Sequence, residues 1–346
     1  MALKPLSVLA FALALTSTHA DSSSYQDNSI CACDQMMRSY GTSNAGLWGK
    51  DDWWQSGIAL TLLADISSLD SSYNGTHFDT FATTYSEAPG YGGYTGFIDD
   101  YCDDEGWWAM GWLAAYDLTQ NPDYLNLAIS IYNDISNNKA SCGGIIWEKG
   151  GNYLASIANE LYIASAAGIA NRVSADQKES YLDSATAIWD WLFSIGVSVR
   201  RPSGPTTRGV ILSAAVELYR ATGNSTYLDT ARKIADAVTT TGSTFTGSNG
   251  VLTDCSNGCD DTSAIFKAAL FRGLRQLQDA TPQDTWKTWL TTNAQSTWSN
   301  DLSITTANGD TECQLGANLN GPVGNVTFVT QAAGLASLIA AWAVSS

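Results

Sequence analysis

The residues of this chain whose types and spacing could do chemistry are concentrated in "YCDDEGWWAMGW" (101–112). Three carboxylates, Asp103, Asp104 and Glu105, stand just before Trp107 and Trp108, although burying a carboxylate beside an apolar ring is costly. Two close carboxylates resist ionising together, so one of them tends to keep its proton and can serve as an acid. Cleavage of a glycosidic bond needs such a couple on either side of one linkage.

A purely structural interpretation covers the same residues. Asp is favoured at helix N-caps and first turns, where it accepts free N–H groups and meets the positive end of the helix dipole. The chain has four Asp-Asp pairs, at 51–52, 99–100, 103–104 and 260–261. The pair 103–104 stands out because it precedes a strongly helical segment, "EGWWAMGWLAAY", whose tryptophans fall close enough to wall the same space. "KDDWWQSG" (50–57) has the same ingredients, so composition alone does not choose between them.

Composition narrows the classes of partner. The chain has 346 residues, 34 acidic against 17 basic, and a net charge of −17. Binding to phosphates depends on clustered Lys and Arg, which are not visible here, so nucleic acids and anionic membranes are poor candidates. A neutral substrate fits better, and 13 Trp with 15 Tyr suit sugars, whose C–H faces lie well on aromatic rings.

The first twenty residues have the pattern of a secretory signal peptide: one Lys, an apolar run and small residues before a cleavage site after Ala20. We therefore expect a secreted or cell-wall protein that leaves the membrane once the signal is removed. Three sequons, at Asn74, Asn224 and Asn325, suit a eukaryotic secretory route and a glycoprotein.

The seven cysteines favour disulfides in that compartment. "DCSNGCDD" predicts a small loop closed by Cys255 and Cys259, and the odd count leaves one thiol unpaired. His77, the only histidine after cleavage, is interpreted as a surface loop residue. Triads built on histidine are thus nearly excluded, and we expect neither a metal nor a cofactor.

Internal repeats predict the architecture. The frame Tyr-Leu-x-x-Ala-x-x-Ile occurs at 124–131, 181–188 and 227–234, with apolar positions on one face of a helix. Each copy belongs to a helical hairpin of about 50 residues, so the mature chain holds about six hairpins. Further helices are predicted at 53–66, 105–118, 153–170, 209–222, 262–279, 284–298 and 328–344.

Several of these helices are apolar nearly all round, as expected for helices buried on both sides. We therefore predict an all-α fold, a single (α/α)6 barrel over residues 21–346, with the binding cleft in the loops at one end of the inner helices. The apolar run 332–344 is interpreted as a buried terminal helix, not as part of a lipid-anchor signal.

"YCDDEGWWAMGWLAAYDLT" closely resembles the central motif of glycoside hydrolase family 76, the endo-α-1,6-mannanases. "LWGKDDWWQSGIALTLLADI" (47–66), "CGGIIWEKGGNYLASIANELYIASAA" (142–167), "GVILSAAVELYRATGN" and "FKAALFRGL" resemble further segments of the family, in the same order. The resemblance implies an (α/α)6 barrel and retaining hydrolysis of α-1,6-linked mannose chains.

The resemblance also implies roles for residues. It selects Asp103 as nucleophile, Asp104 as acid/base, and Trp54, Trp107 and Trp147 as the lining of the sugar groove. Asn159 and Glu160 are expected to be buried and to brace their helix. The chain departs from the family at Thr206-Thr207-Arg208-Gly209, where Tyr-Asn-Gln-Gly is usual, and at Ala268, which replaces a Gly.

These observations predict a monomeric, secreted glycosidase that cuts α-mannan within the chain. Two alternatives remain open. A cell-wall transglycosylase would pass the same covalent intermediate to a sugar hydroxyl instead of water. A catalytically silent glycan-binding protein of the same fold would keep the groove without the reaction.

Overall fold

A computed structural model describes residues 22–50, 52–74, 76–88, 90–196, 205–253, 260–307 and 310–346. The predicted signal peptide, Asp51 and the predicted Cys255–Cys259 loop lie outside the described residues. The helices are, in chain order, α1 (Ser22–Met37), α2 (Trp53–Leu69), α3 (Ser71–Asn74), α4 (Phe78–Glu87), α5 (Cys102–Thr119), α6 (Pro122–Ser136), α7 (Ser156–Ala170), α8 (Ala175–Ser194), α9 (Pro205–Thr222), α10 (Thr226–Thr239), α11 (Asp261–Ala280), α12 (Asp284–Asn300) and α13 (Phe328–Ser345). An antiparallel hairpin of two strands, β1 (Leu302–Ala307) and β2 (Asp310–Leu315), lies between α12 and α13.

Six of these helices form a closed inner ring, in the order α2, α5, α7, α9, α11 and α13, and α13 packs back against α2. Long runs of α2, α5, α7 and α13 are buried on every side, as their apolar sequences require. The helix that follows each inner helix from α5 to α11 packs outside the ring. The predicted (α/α)6 barrel is confirmed.

The repeated Tyr-Leu-x-x-Ala-x-x-Ile frame falls on three outer helices, α6, α8 and α10. Its Ala and Ile positions are buried in every copy: Ala128 and Ile131, Ala185 and Ile188, Ala231 and Ile234. The frame is thus the apolar stripe by which an outer helix packs against the ring. Glycines allow the inner helices to approach closely: a Cβ added at Gly111 of α5 would lie 2.8 Å from the Gly57 carbonyl oxygen of α2.

The sequence analysis did not predict α1, α4 or the β-hairpin. Helix α1 alternates small and polar residues, and it forms where it packs against α13 as the outer partner of the last inner helix. A disulfide between Cys31 and Cys313 ties α1 to β2. The sequence analysis predicted one unpaired thiol, but the described part of the chain has three free cysteines, Cys33, Cys102 and Cys142.

The C-terminal run forms a core helix, as predicted. Among the described residues, α13 is the one helix with the length and apolarity to cross a membrane, and 83% of its apolar window is buried inside the protein. Burial against α11, α12 and α1 accounts for its apolar sequence.

The inner helices run parallel, so the ring has two chemically different ends. At their C-terminal ends the Asp65 carboxylate of α2 pairs with Arg272 at 3.0 Å and Arg275 at 2.9 Å, both from α11. Arg172, just beyond α7, pairs with Asp117 of α5 at 2.5 Å. Arginines suit this end, where the helix dipoles are negative. The N-terminal ends carry the aromatic and acidic residues of the candidate site.

Candidate active site

The first turn of α5 presents the Asp103–Asp104 pair at the N-terminal end of the ring. Its position is set by a short backbone pairing: the Cys102 N–H donates to the Trp147 carbonyl at 2.9 Å, and the Lys149 N–H donates to the Asp100 carbonyl at 2.8 Å. Carboxylates at a helix N-terminus meet the positive end of the dipole. Both Asp side chains are partly exposed to solvent.

The two aspartates have different surroundings. The Trp147 indole N–H and the backbone N–H groups of Asp103 and Asp104 act on the Asp103 carboxylate and favour its charged form. Burial raises the pKa of Asp103, while these three donors oppose the rise because they stabilise the charged form. Asp103 Oδ1 is buried and has no hydrogen-bond partner among the described residues.

Asp104 is the group that holds a proton. Burial first, then the negative charges of Asp103 and Asp99, raise the pKa of Asp104 to about 9. Asp99 is itself buried, and its pKa is raised to about 6 by that burial. The proton of the pair therefore lies on Asp104, while the N–H donors near Asp103 favour its charged form, an asymmetry that suits a general acid and a nucleophile.

A buried ion pair fixes the base of the site. The Glu105 carboxylate is wholly buried and accepts from Lys149 Nζ, which also pairs with Asp134 of α6 at 2.5 Å. Burial raises the pKa of Glu105 to about 8, with Lys149 opposing that rise. Lys149 was missed by sequence reasoning, although it lies only two residues beyond Trp147.

Asn159 of α7 holds the loop that carries Trp147 through hydrogen bonds of its side chain. Its Oδ1 accepts from the Ile145 N–H at 2.7 Å, and its Nδ2 donates to the carbonyls of Ile145 at 3.2 Å and Ala155 at 2.8 Å. Asn159 and Glu160 are both buried, as predicted, and the hydrogen bonds of Asn159 give it a bracing role. The Gly-Gly loop and α7 thus act as one rigid support for Trp147.

Aromatic rings surround the aspartates in two groups. Trp54 of α2, Trp107 of α5 and Phe266 of α11 lie 5.5–6.2 Å apart between ring centroids at the mouth of the ring. Trp54 is partly exposed, whereas Trp107 is 6% exposed and faces inward. A small apolar cavity of about 30 Å³, lined by Trp107 and Ala268, lies inside the ring. The interior is therefore packed core, and the reactive groups are confined to the mouth.

The second aromatic group belongs to loops at the rim. Trp147 contacts Tyr101 at 4.7 Å and, edge to face, Tyr153 at 6.0 Å. Tyr153 is 65% exposed. Tyr91, also exposed, stacks on Trp53 at 5.3 Å. Exposed rings beside a pair of carboxylates form a surface suited to the apolar faces of sugars.

The departures from the family pattern lie near the same end. Arg208, 9% exposed at the start of α9, places its guanidinium 4.5 Å from the centre of the Phe245 ring. Burial raises the pKa of Glu160 well above its usual value, while the positive charge of Arg208 opposes that rise.

The other Asp-Asp pairs have structural roles where they can be seen. Asp52 precedes α2 and its side chain accepts from the Lys50 N–H at 3.2 Å, and Asp260 caps α11 by accepting from the Ser263 N–H at 2.6 Å. The exception is Asp99, which lies beside Asp104. Sequence reasoning singled out the pair 103–104 and gave the pair that contains Asp99 no special role, because nothing in its local sequence distinguished it. Among the described residues no group of three His, Cys, Asp or Glu side chains could hold a metal ion.

Comparison with known proteins gives the arrangement a context. The model of the family described as glycosyl hydrolase family 76 matches residues 20–202 and 206–345. A protein of Schizosaccharomyces pombe (strain 972 / ATCC 24843), provisionally named mannan endo-1,6-alpha-mannosidase, is 26% identical over 161 residues. That match covers 42% of this chain, and the chain spans about a third (35%) of the length of this relative.

Two solved structures share the fold over nearly the whole chain. One is an inactive variant of an α-1,6-mannanase of Salegentibacter sp. HEL1_6, with two aspartates replaced by asparagine, in complex with α-1,6-mannotriose. It is 22% identical, with a TM-score of 0.77, covering 92% of this chain and 99% of the other. The second, Dfg5 of Chaetomium thermophilum in complex with glucosamine, is 17% identical with a TM-score of 0.74, covering 95% and 92%. At these identities the likeness establishes the fold alone.

Proposed function

Because this chain belongs to glycosyl hydrolase family 76, we propose that it hydrolyses α-1,6-mannosidic bonds within mannan chains, with retention of configuration. The observation that carries the proposal is the Asp103–Asp104 pair at the mouth of the ring. Burial among carboxylates keeps a proton on Asp104, whereas the Trp147 N–H favours the charged form of Asp103. Complexes of the Salegentibacter enzyme with α-1,6-mannotriose and α-1,6-mannotetrose support this choice of substrate.

In the proposed reaction the Asp103 carboxylate attacks the anomeric carbon while Asp104 gives its proton to the departing glycosidic oxygen. The bond formed is an ester between the sugar and Asp103, and the bond broken is the glycosidic bond. In the second step Asp104, now ionised, takes a proton from water, and the resulting hydroxide oxygen displaces Asp103 from the sugar. Two inversions give overall retention.

The aromatic groups contribute positioning. Trp147 binds Asp103 through its indole N–H and so fixes the direction of the nucleophile. Trp54 offers a partly exposed ring at the mouth, where a mannose unit could lie against it, and the buried Trp107 packs behind it. Binding a polymer at several such sites holds one linkage beside the aspartates, which lowers the entropic part of the barrier.

Digestion of linear α-1,6-mannan by the purified protein tests the proposal. We expect short α-1,6-oligomers from the start of the reaction, as internal cleavage produces, and fresh reducing ends in the α configuration by NMR. An initial β product would show inversion and contradict the assignment of Asp103 as nucleophile. A protein that stays on the polymer without releasing products would be a glycan-binding protein.

A second candidate, transfer to a sugar hydroxyl, is favoured by the likeness to Dfg5 in complex with glucosamine. The covalent intermediate on Asp103 is common to both reactions, and they differ in the acceptor. Supplying short oligosaccharide acceptors together with mannan separates them, because a transferase yields products longer than the acceptor whereas a hydrolase yields only shorter chains.

The proposal includes export and a monomeric state. Export is supported by the signal pattern of residues 1–20 and by the three sequons. Expression in a secreting eukaryotic host, followed by N-terminal sequencing and mass spectrometry, tests it. We expect the mature chain in the medium to begin at Asp21 and to carry glycans that an endoglycosidase removes.

A further inference from the structure

Asp99 is a buried carboxyl beside the catalytic pair that the proposed reaction does not use. It is 1% exposed. Its Oδ1 accepts from the Tyr101 N–H at 2.9 Å, and its own N–H donates to Glu105 Oε1 at 3.0 Å. Phe97, two residues earlier, is packed against Trp108 at 4.5 Å in the core. Asp99 is therefore held rigidly from both sides.

The rest of the Asp99 side chain faces Asp104. The Asp99 carboxyl lies beside that of Asp104, and each of the two groups affects the ionisation of the other. Asp99 Oδ2 is buried and has no hydrogen-bond partner among the described residues. A hydrogen bond between two carboxyl groups requires one proton, because two carboxylates at this distance repel each other.

On this geometry we propose that Asp99 is a positioning residue that shares one proton with Asp104, keeping Asp104 protonated and fixed in direction until the glycosidic oxygen takes the proton. The inference rests on the proposed function, in which Asp104 is the general acid. The charge of Asp99 is unchanged over the cycle: the proton passes from Asp104 to the leaving group and returns to Asp104 from water. While Asp104 is ionised, the nearby negative charge of Asp99 strengthens it as a base.

The charged groups around Asp99 and Asp104 do not neutralise the repulsion between these two carboxyl groups. Among the described residues, the cation that acts on Asp99 is Lys149, whose Nζ is occupied by Glu105 and by Asp134 of α6. The other groups that act on the pair are acidic or phenolic: Asp103 and Glu105 from α5, and Tyr101 from the preceding loop. A proton is thus the species that relieves the repulsion between Asp99 and Asp104.

The Asp99→Asn variant tests the proposal through the pH profile of kcat/KM. The amide removes a negative charge and can donate a hydrogen bond to the Asp104 carboxylate, so the alkaline limb should move to lower pH by about 1 unit or more. Asp100→Asn is the matched control, because Asp100 is exposed and its side chain accepts from the Tyr94 hydroxyl at 2.6 Å. Its alkaline limb should coincide with that of the wild type. An unchanged limb in a folded Asp99→Asn variant that cleaves mannan would overturn the inference and leave the proposed function intact.

A second measurement does not depend on activity or on the folding of that variant. In wild-type protein labelled with ¹³C at the Asp carboxyls, two resonances should titrate together with shared midpoints, the higher near pH 9, as a coupled pair does. Asp104→Asn should remove the higher step and leave the other with a single midpoint. Two independent titrations in the wild type would overturn the proton sharing. If the wild type does not cleave mannan, the proposed function fails, while this titration still decides the inference.

Discussion

Asp103 and Asp104 are neighbours in one helical turn, yet their side chains meet different atoms. Asp103 faces N–H donors, among them the indole of Trp147, whereas Asp104 faces the carboxyls of Asp103 and Asp99. Donors favour the charged form of a carboxyl, and neighbouring negative charges favour the neutral form. The proposed division of roles between nucleophile and acid therefore follows from what surrounds each residue, since their chemistry is identical.

The roles can be separated by substrates with different leaving groups. We expect Asp103→Asn and Asp104→Asn each to lower kcat on α-1,6-mannan by at least about 100-fold, because each removes half of the catalytic couple. On an α-1,6-mannobiosyl fluoride, whose leaving group needs no proton, Asp104→Asn should still release fluoride rapidly and accumulate the covalent intermediate. Asp103→Asn should remain inactive on it.

Circular dichroism of both variants provides the control, since each replacement keeps the size of the side chain and the fold should persist. Wild-type rates in both variants would place the chemistry elsewhere. A reversed pattern with the fluoride would exchange the two roles.

At the scale of elements, the site depends on a loop being held against a helix. The strand-like pairing of 147–149 with 100–102 places Trp147 beside Asp103, and Asn159 of α7 holds that loop through three hydrogen bonds. The same hydrogen-bond arrangement occurs at Asn293 of α12, which holds the loop of Gly250 and Leu252. Its side chain accepts from the Leu252 N–H at 2.9 Å and donates to the Gly250 and Trp289 carbonyls. The two asparagines are equally buried, but only the loop held by Asn159 bears a residue that contacts Asp103.

Replacing Asn159 by Ala should therefore affect both stability and catalysis. Buried backbone groups of Ile145 and Ala155 lose their partner, which we expect to lower the free energy of unfolding by about 1–3 kcal/mol. Release of the loop should also lower kcat, because Trp147 no longer fixes the Asp103 carboxylate. Urea unfolding and mannan kinetics on the same preparation measure the two effects.

Asn293→Ala is the matched comparison. It removes equivalent hydrogen bonds, so a similar loss of stability is expected with a kcat close to that of the wild type. An equal loss of kcat in both variants would mean that general destabilisation, and not the position of Trp147, controls the rate.

At the scale of the whole molecule, the chain carries a net charge of −17, and burial raises the pKa of several of its acids. Burial raises the pKa of Asp99 to about 6, of Asp301 to about 7, of Glu105 to about 8 and of Asp104 to about 9. In the unfolded chain these groups release their protons near pH 4. The folded state thus binds more protons than the unfolded state between about pH 4 and 9.

Stability should consequently fall as pH rises through that window. We expect a higher melting temperature at pH 5 than at pH 8.5, measured by calorimetry in high salt, where long-range repulsion is screened and buried groups are screened much less. Asp104→Asn, which resembles the protonated side chain, should reduce the difference between the two pH values. A melting temperature that rises from pH 5 to pH 8.5 would contradict the prediction. The ion pairs of Asp65 and Glu217, whose pKa values are lowered, act in the opposite direction only at more acidic pH.

The sequence by itself determined the architecture and the central part of the site. Periodicity marked helices buried on both sides and outer helices with one apolar stripe, and both properties are local. The adjacency of Asp103 and Asp104, shortly before Trp107, is also local, and it can be read from the sequence without knowledge of the fold.

Only the tertiary structure decided which groups surround those aspartates. Asp99, Lys149 and Trp147 reach the site from loops up to 46 residues away along the chain (149 − 103). No periodic pattern encodes such meetings, because they depend on how the ring closes and how its loops fold back. The sequence did not predict helix α1 for the same reason. Its apolar periodicity is weak, and the helix is held in place by its packing against α13 and by the Cys31–Cys313 disulfide. The identity of the proposed catalytic residues was thus local information, whereas their protonation, which depends on burial and neighbouring charge, was not.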